Sequence, residues 1–233
     1  MSRFAIILRL SLNEYNLIRS KRKTIALYIR GGVLEVRAPL RASLRDIEQF
    51  IVSKEKWISK NLAHSQEQAR RRENFCVDYG DTVLYLGCEY PIIAKTGRRV
   101  GFDDGFFMPP GLSHGEIKSA CIQIYRRLAR RDLPSRVLYF SKKMAVSPAA
   151  VKISGAKTRW GSCSTRRNLN FSWRLIMAGI DVVDYVVVHE LAHLLEMNHS
   201  PRFWEIVAAV LPDYRERRGR LKALNERLAR EDW

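Results

Sequence analysis

Three of the five histidines in this chain lie within eleven residues, at His189, His193 and His199. The first two are four residues apart, so on a helix both imidazoles project from one face, one turn apart. That separation lets both bind one tetrahedral zinc ion at about 2.0–2.1 Å. Glu190 follows the first histidine, and a carboxylate in this H-E-x-x-H pattern can act as general base on a metal-activated water. The spacing predicts a hydrolytic zinc site.

The same pattern also arises by chance, and two histidines on a helix can form a purely structural site. Two features favour chemistry. The surrounding segment, residues 182–194, is strongly apolar, and ionisable side chains there are costly unless they are satisfied. The rest of the chain is poor in histidine, yet a third one follows the pair by six residues.

The third metal ligand has two candidates. His199 stands where the longer H-E-x-x-H-x-x-G-x-x-H pattern has its third histidine, although Glu196 replaces the glycine. Asn198 could make the required turn, because asparagine tolerates the left-handed backbone conformation that ends helices. Glu205, on the following helix, is the competing ligand. We favour His199 because a short loop keeps it beside the pair, and we expect Glu196 to be solvated or to contact a ligand imidazole.

Substrate-binding residues are harder to predict. Arg159 and Tyr185 are candidates for stabilising a tetrahedral oxyanion, but an arginine can equally be a surface or phosphate-binding residue and a tyrosine can equally be core. Residues 168–173 alternate in polarity, with Asn170 on the polar face, and could pair as an edge strand with an extended peptide. Cys163 as a fourth zinc ligand would close the site and is not favoured.

The elements that position these residues follow from periodicity and from proline and glycine. We predict a long helix from about Asp181, with the Asp181 side chain as its cap, to about Met197. Ser200 and Pro201 should begin a short helix. Further elements are predicted as follows: a strand over 149–155, a helix over 115–132 that Pro134 stops, a second helix through Met144, and a basic terminal helix from about Asp213.

The first half of the chain is predicted to be rich in strands. Gly31-Gly32 indicates a hairpin, and Ser43 should begin a helix that reaches about Leu62. Pro109-Pro110-Gly111 then breaks the chain. The fold class we predict is therefore α+β, with a β-rich region over residues 1–110 and a catalytic domain over residues 111–233 that contains the H-E-x-x-H helix.

Composition narrows the class of protein. The chain has 233 residues, 46% of them hydrophobic, and no stretch approaches the roughly 20 apolar residues of a membrane span. Its start is interrupted by Arg9 and is interpreted as a strand, not a signal peptide. The four cysteines form no C-x-x-C pair. We expect a cytoplasmic protein with reduced thiols.

Positive charge is the second compositional feature, since 41 lysines and arginines against 24 acids give a net charge of +17. Six basic residues and no acid occur between Lys152 and Arg174, close to the predicted site in sequence. Such a surface attracts polyanions without specifying which. Non-specific nucleic-acid contact is therefore a candidate property, although no helix-turn-helix, RNP or zinc-finger signature indicates base reading.

The segments TRWGSCS, NLNFSWRLI, DYVVVHELAHLLEMNHSPRFW and LPDYRERR together resemble the YgjP-like metallopeptidase family and, more distantly, the SprT-type zincin peptidases. The resemblance is strongest over residues 152–221. It implies a zincin-like catalytic half, a peptide or protein substrate, Zn²⁺ bound by His189, His193 and His199, and Glu190 as catalytic base.

Two functions therefore remain open. One is a zinc metallopeptidase, with protein associated with nucleic acid as a candidate substrate. The other is a non-catalytic module that binds nucleic acid or a partner and contains a structural zinc. Glu190 separates them, because a structural site has no need of a carboxylate beside its first ligand.

Overall fold

The computed structural model describes residues 15–233, so the strand predicted at the start of the chain lies largely outside it. Contacts divide the chain into two compact units. The first contains residues up to Phe75 together with Ala229–Asp232, and the second contains Cys76–Leu228 together with Trp233. The boundary predicted near residue 110 falls inside the second unit, and a separate catalytic domain over residues 111–233 stays a prediction.

The first unit is a three-stranded sheet with two helices. Its elements are β1 (Tyr15–Ser20), β2 (Ala26–Arg30), β3 (Val33–Pro39), α1 (Leu44–Ser53) and α2 (Glu55–Glu73). β3 is central, parallel to β1 and antiparallel to β2 across the predicted Gly31-Gly32 turn. The Ser43 hydroxyl accepts from the Asp46 amide, as its position predicts for a cap. The single helix expected there is two helices, separated at Lys54.

The second unit begins with a four-stranded sheet in the order β4-β5-β7-β6. Its strands are β4 (Thr82–Tyr85), β5 (Cys88–Ala94), β6 (Gly101–Phe102) and β7 (Phe106–Met108). At the β4–β5 turn the Leu86 amide donates to the Ile176 carbonyl at 2.8 Å. A β-carbon on Gly87 would lie 2.8 Å from the Cα of Gly179, so only glycine permits this approach.

One continuous helix, α3 (His114–Lys143), follows this sheet and contains Pro134. The break predicted at this proline is therefore wrong. Proline removes one backbone hydrogen bond, but Leu133, Val137 and Phe140 are buried around it. Packing of that apolar stripe keeps the helix intact across the defect.

The remaining elements of the second unit are a three-stranded sheet, a 3₁₀ helix and three α-helices. They are β8 (Ala150–Ser154), β9 (Gly161–Cys163), β10 (Asn168–Ser172), a 3₁₀ helix (Trp173–Met177), α4 (Ile180–Ala192), α5 (Pro201–Val210) and α6 (Tyr214–Leu228). β10 is the central strand, parallel to β8 and antiparallel to β9. The mixture of helices and small sheets confirms the α+β class.

The helix α4 is the buried centre of the second unit, and it packs on α3, α5, α6 and β9. All seven of its residues from Val182 to Val188 are buried. The buried carboxylate of Asp184 receives two hydrogen bonds from Arg136 of α3, at 2.6 and 2.7 Å. Over residues 15–233, no helix has both the length and the apolar character needed to cross a membrane.

Candidate metal centre

The helix α4 carries the first histidine of the predicted site and ends sooner than expected. It runs from Ile180 to Ala192 and not to Met197, and His193 is its C-terminal cap residue. Beyond it the Leu194 and Leu195 amides donate to carbonyls three residues back, which closes the helix in a tight turn. The predicted cap by Asp181 is wrong, since Gly179 occupies that position and no side chain bonds there.

The chain then returns toward the helix and brings His199 to the pair. The predicted left-handed residue is not found, because Asn198 is not among the described residues with positive φ. The Asn198 amide instead donates to the Glu196 carboxylate at 3.3 Å, and the Ser200 amide donates to the Asn198 carbonyl at 2.8 Å. The Ser200 hydroxyl then caps α5, as predicted.

Three imidazoles converge at this turn. Potential ligand atoms of His189, His193 and His199 all lie within 4.8 Å of one another, and the Nε2 atoms of His189 and His199 are 3.0 Å apart. Phe203 of α5 packs against all three rings, with centroid separations of 4.9, 4.6 and 4.8 Å. Among residues 15–233, these three histidines form the group of His, Cys, Asp or Glu side chains that could hold a metal ion together. Glu205 is not part of that group.

The donor chemistry of this cluster fits a zinc ion. A tetrahedral site with bonds of about 2.0–2.1 Å needs donor atoms about 3.3 Å apart, and the Nε2 atoms of His189 and His199, at 3.0 Å, are close to that separation. The His193 Nδ1–H donates to the Glu196 carbonyl at 3.2 Å, which fixes the tautomer and leaves Nε2 as a lone-pair donor. The expected contact of Glu196 with a ligand imidazole is thus made by its backbone.

The surroundings of His189 also favour the neutral, metal-binding form of imidazole. The pKa of His189 is lowered to about 3, mainly by burial and in smaller part by the neighbouring His193, His199 and Arg218. Burial likewise lowers the pKa of His193. A neutral imidazole binds metal without first losing a proton.

Glu190 is not part of this metal-holding group, and its carboxylate is buried beside it. Its surface is 6% exposed, and burial raises the pKa of its carboxyl to about 7, while the charge of Arg159 acts in the opposite direction. A β-carbon on Gly161 of β9 would lie 2.5 Å from the Glu190 Oε1. The strand β9 therefore covers the carboxylate, and only a glycine leaves room for it there.

The three predicted substrate-binding residues have different surroundings. Arg159 is exposed and close enough to Glu190 to affect its pKa. Tyr185 is buried one turn before His189, with a ring separation of 5.9 Å. Asn170 lies in β10, between β8 and β9, so the expectation that this strand is a free edge is wrong. Within the described part of the chain, β9 is the outer strand of that sheet that packs on α4 and lies against Glu190.

A small pocket beside Glu190 contains residues that the sequence did not indicate. It has a volume of about 170 Å³ and is lined by Trp160, Gly161, Tyr185, Val186, His189, Glu190 and Leu221. Leu221 comes from α6, and nothing in the periodicity of that helix predicts that it returns to α4. The neighbouring TRWGSCS segment could have indicated Gly161, because a glycine inside a strand often marks a place that another group approaches closely.

A mixed α+β unit with three convergent imidazoles beside a buried carboxylate has the features of a metal-dependent hydrolase. The chain belongs to the YgjP-like family of metallopeptidase domains, whose family model matches residues 23–224. This confirms the resemblance found in the sequence.

Comparison of structures finds the crystal structure of the metallopeptidase zymogen of Pyrococcus abyssi, abylysin. The two chains are 19% identical, the match covers 42% of this chain and 97% of the other, and the TM-score is 0.37. No curated protein matches the sequence.

Proposed function

We propose that this protein is a zinc-dependent peptidase, with His189, His193 and His199 as the metal ligands and Glu190 as the general base. The observation that carries the proposal is the convergence of three imidazoles on one turn with a buried carboxylate beside the first. Three histidine ligands leave the fourth tetrahedral position open, as catalytic zinc sites require.

The chemistry divides between the ion and the protein. When bound, zinc supplies Lewis acidity, which lowers the pKa of a bound water to about 7 and polarises a peptide carbonyl. Glu190 accepts a proton from the attacking water as the oxygen of that water bonds to the carbonyl carbon. As the C–N bond breaks, Glu190 gives that proton to the leaving amine. A carboxyl with a pKa raised to about 7 suits both steps near neutral pH.

The edge of β9 is where an extended peptide substrate would bind. The Trp160 carbonyl accepts from the Ser172 amide, and the Ser164 amide donates to the Asn168 carbonyl, so residues 160, 162 and 164 face β10. In an antiparallel ladder, the residues between these direct their backbone N–H and C=O groups toward the opposite, unpaired edge of the strand. Gly161 and Cys163 would thus hydrogen-bond a peptide beside Glu190. Arg159 and Tyr185 remain the candidates for stabilising the oxyanion.

The test is a Glu190→Gln variant, which keeps the shape of the side chain and removes its basicity. We expect it to retain the metal content of the parent and to lose at least about 10²-fold in peptide cleavage, the usual contribution of a general base. Glu205→Gln, the same change on the exposed face of α5, is the matched control and should cleave normally. Equal cleavage by parent and Glu190→Gln would contradict the assignment.

The basic surface and the cellular location belong to the same proposal. Under it the enzyme works in the cytoplasm and meets some substrates bound to nucleic acid, which the net charge of +17 would attract. Affinity for single- and double-stranded DNA should then fall steeply with salt. If the protein is instead a binding module with a structural zinc, it will still bind DNA, and Glu190→Gln will not change the cleavage of any peptide.

A further inference from the structure

The helix α6 carries two sets of cations with different surroundings. Arg217 donates to Asp213 at 2.9 Å, and Arg220 donates to Glu216 at 2.8 Å and also to Asp181. These side chains are therefore neutralised by acids of the same unit. Arg217 and Arg220 are cations of one side of the helix.

The second set lies on another face of α6 and has no such partners. Arg215, Arg218 and Lys222 are spaced by three and four residues, so they form one stripe, and all three are exposed. Over residues 15–233 none of them lies within ion-pair distance of a carboxylate. The Arg218 guanidinium lies over the Trp204 ring at 5.5 Å, and that of Arg215 lies 5.7 Å from the Tyr214 ring. Stacking restrains both cations, so less side-chain entropy is lost when they bind an anion.

These cations line a groove that continues the pocket at Glu190. The groove has a volume of about 600 Å³, and its walls include Thr158, Trp160, Arg215, Arg218, Leu221 and Lys222. Trp160 and Leu221 belong to both the groove and the pocket. None of its lining residues within the described chain is acidic. A peptide with one side chain in the pocket would therefore meet a cationic surface further along its chain.

We propose that this groove is a substrate subsite for an acidic residue, so that the peptidase prefers peptides with a glutamate or aspartate a few residues from the cleaved bond. This inference rests on the proposed peptidase function. An extended peptide advances about 3.3 Å per residue, so a few residues lead from Glu190 across Trp160 into the groove. A duplex would need a longer run of cations, because its phosphates follow one another along the whole helix.

The experiment uses pairs of fluorogenic peptides that differ only by Glu or Gln at one position, scanned over about four residues on each side of the cleaved bond. We expect the acidic peptide to have a kcat/KM about five- to tenfold higher at one or two positions, the size expected for exposed charge pairs acting together. In the double variant Arg215→Gln/Lys222→Gln, the ratio of kcat/KM for the Glu peptide to kcat/KM for the Gln peptide should fall toward one. The control Arg98→Gln/Arg99→Gln removes the same charge from exposed residues outside the groove and should keep the ratio.

Binding separates failure of the subsite from failure of the peptidase assignment. The same labelled peptides are titrated by fluorescence anisotropy against the Glu190→Gln protein, with and without the two groove substitutions. Preferential binding of the acidic peptide, lost on groove substitution, supports the subsite even if no peptide is cleaved. Equal affinity for the Glu and Gln peptides at every position overturns it, whether or not cleavage occurs. If the groove substitutions lower the affinity for a single-stranded oligonucleotide and not for the peptides, the groove binds nucleic acid, and the proposed subsite is overturned too.

Discussion

The carboxylate of Glu190 fills the space that a side chain at residue 161 would occupy. A β-carbon built on Gly161 would lie 2.5 Å from Oε1 and 2.6 Å from Cγ of Glu190. The backbone of Gly161 does not have positive φ, so space and not backbone conformation requires the glycine. The strand β9 and the helix α4 thus fix the position of the proposed base together.

Gly161→Ala should therefore displace the Glu190 carboxylate while leaving the three histidines in place. We expect about a 10²-fold loss in kcat, the size of loss that a misplacement of about 1 Å can cause, with unchanged metal content. Gly115→Ala is the matched control, because nothing lies within 4 Å of the added methyl group. Steady-state kinetics of both variants with one peptide checks this, and full activity in Gly161→Ala would refute the close approach.

The pair Arg136–Asp184 connects α3 to the helix that carries the site. Its oxygen–nitrogen distances are 2.6 and 2.7 Å, and the Asp184 side chain is only 12% exposed. Asp184→Asn leaves the Arg136 charge without its partner, so we expect the free energy of unfolding to fall by about 2–3 kcal/mol. Urea unfolding followed by circular dichroism measures this.

The control for that prediction is Asp103→Asn, which breaks the exposed pair with Lys95. Both of its side chains are more than half exposed, so the loss should stay below about 0.5 kcal/mol. An equal loss in the two variants would mean that the α3–α4 pair contributes no more than a surface pair.

The thiols provide a test of how α3 packs. Cys121 is buried in this helix, and burial raises the pKa of its thiol to about 12, whereas Cys76 and Cys88 are exposed. A raised thiol pKa means less thiolate at a given pH, so at pH 8 only about 1 in 10⁴ Cys121 side chains would be ionised. Iodoacetamide at pH 8 should modify Cys76 and Cys88 in the folded protein and spare Cys121.

Mass-spectrometric peptide mapping measures that difference, and urea-unfolded protein is the control in which Cys121 should react as well. Modification of Cys121 in the folded protein at the rate of Cys88 would show that the helix is not packed as described.

The local parts of the site could be predicted from sequence, and the long-range parts could not. The spacing of His189, His193 and His199 follows from helix geometry and a short loop, and the structure brings all three together. Cap residues such as Ser43 and Ser200 also act locally, within three residues of the amide they bind. These signals depend on near neighbours in the chain.

The errors concern packing between distant segments. Pro134 was expected to stop α3, but burial of the residues around it outweighs the lost hydrogen bond. The strand β10 looked like a free edge because its alternation resembles that of a half-buried strand, and only the pairing with β8 and β9 shows that it is central. Nor does any local pattern bring Leu221 beside Glu190.

The position of a metal ion in crystals, located by anomalous scattering at the zinc absorption edge, tests the central claim most directly. The proposal predicts one anomalous peak about 2.0–2.1 Å from a ring nitrogen of each of His189, His193 and His199. A zinc-loaded crystal with no peak among these imidazoles, or with a peak bound to Glu205 in place of His199, would contradict it.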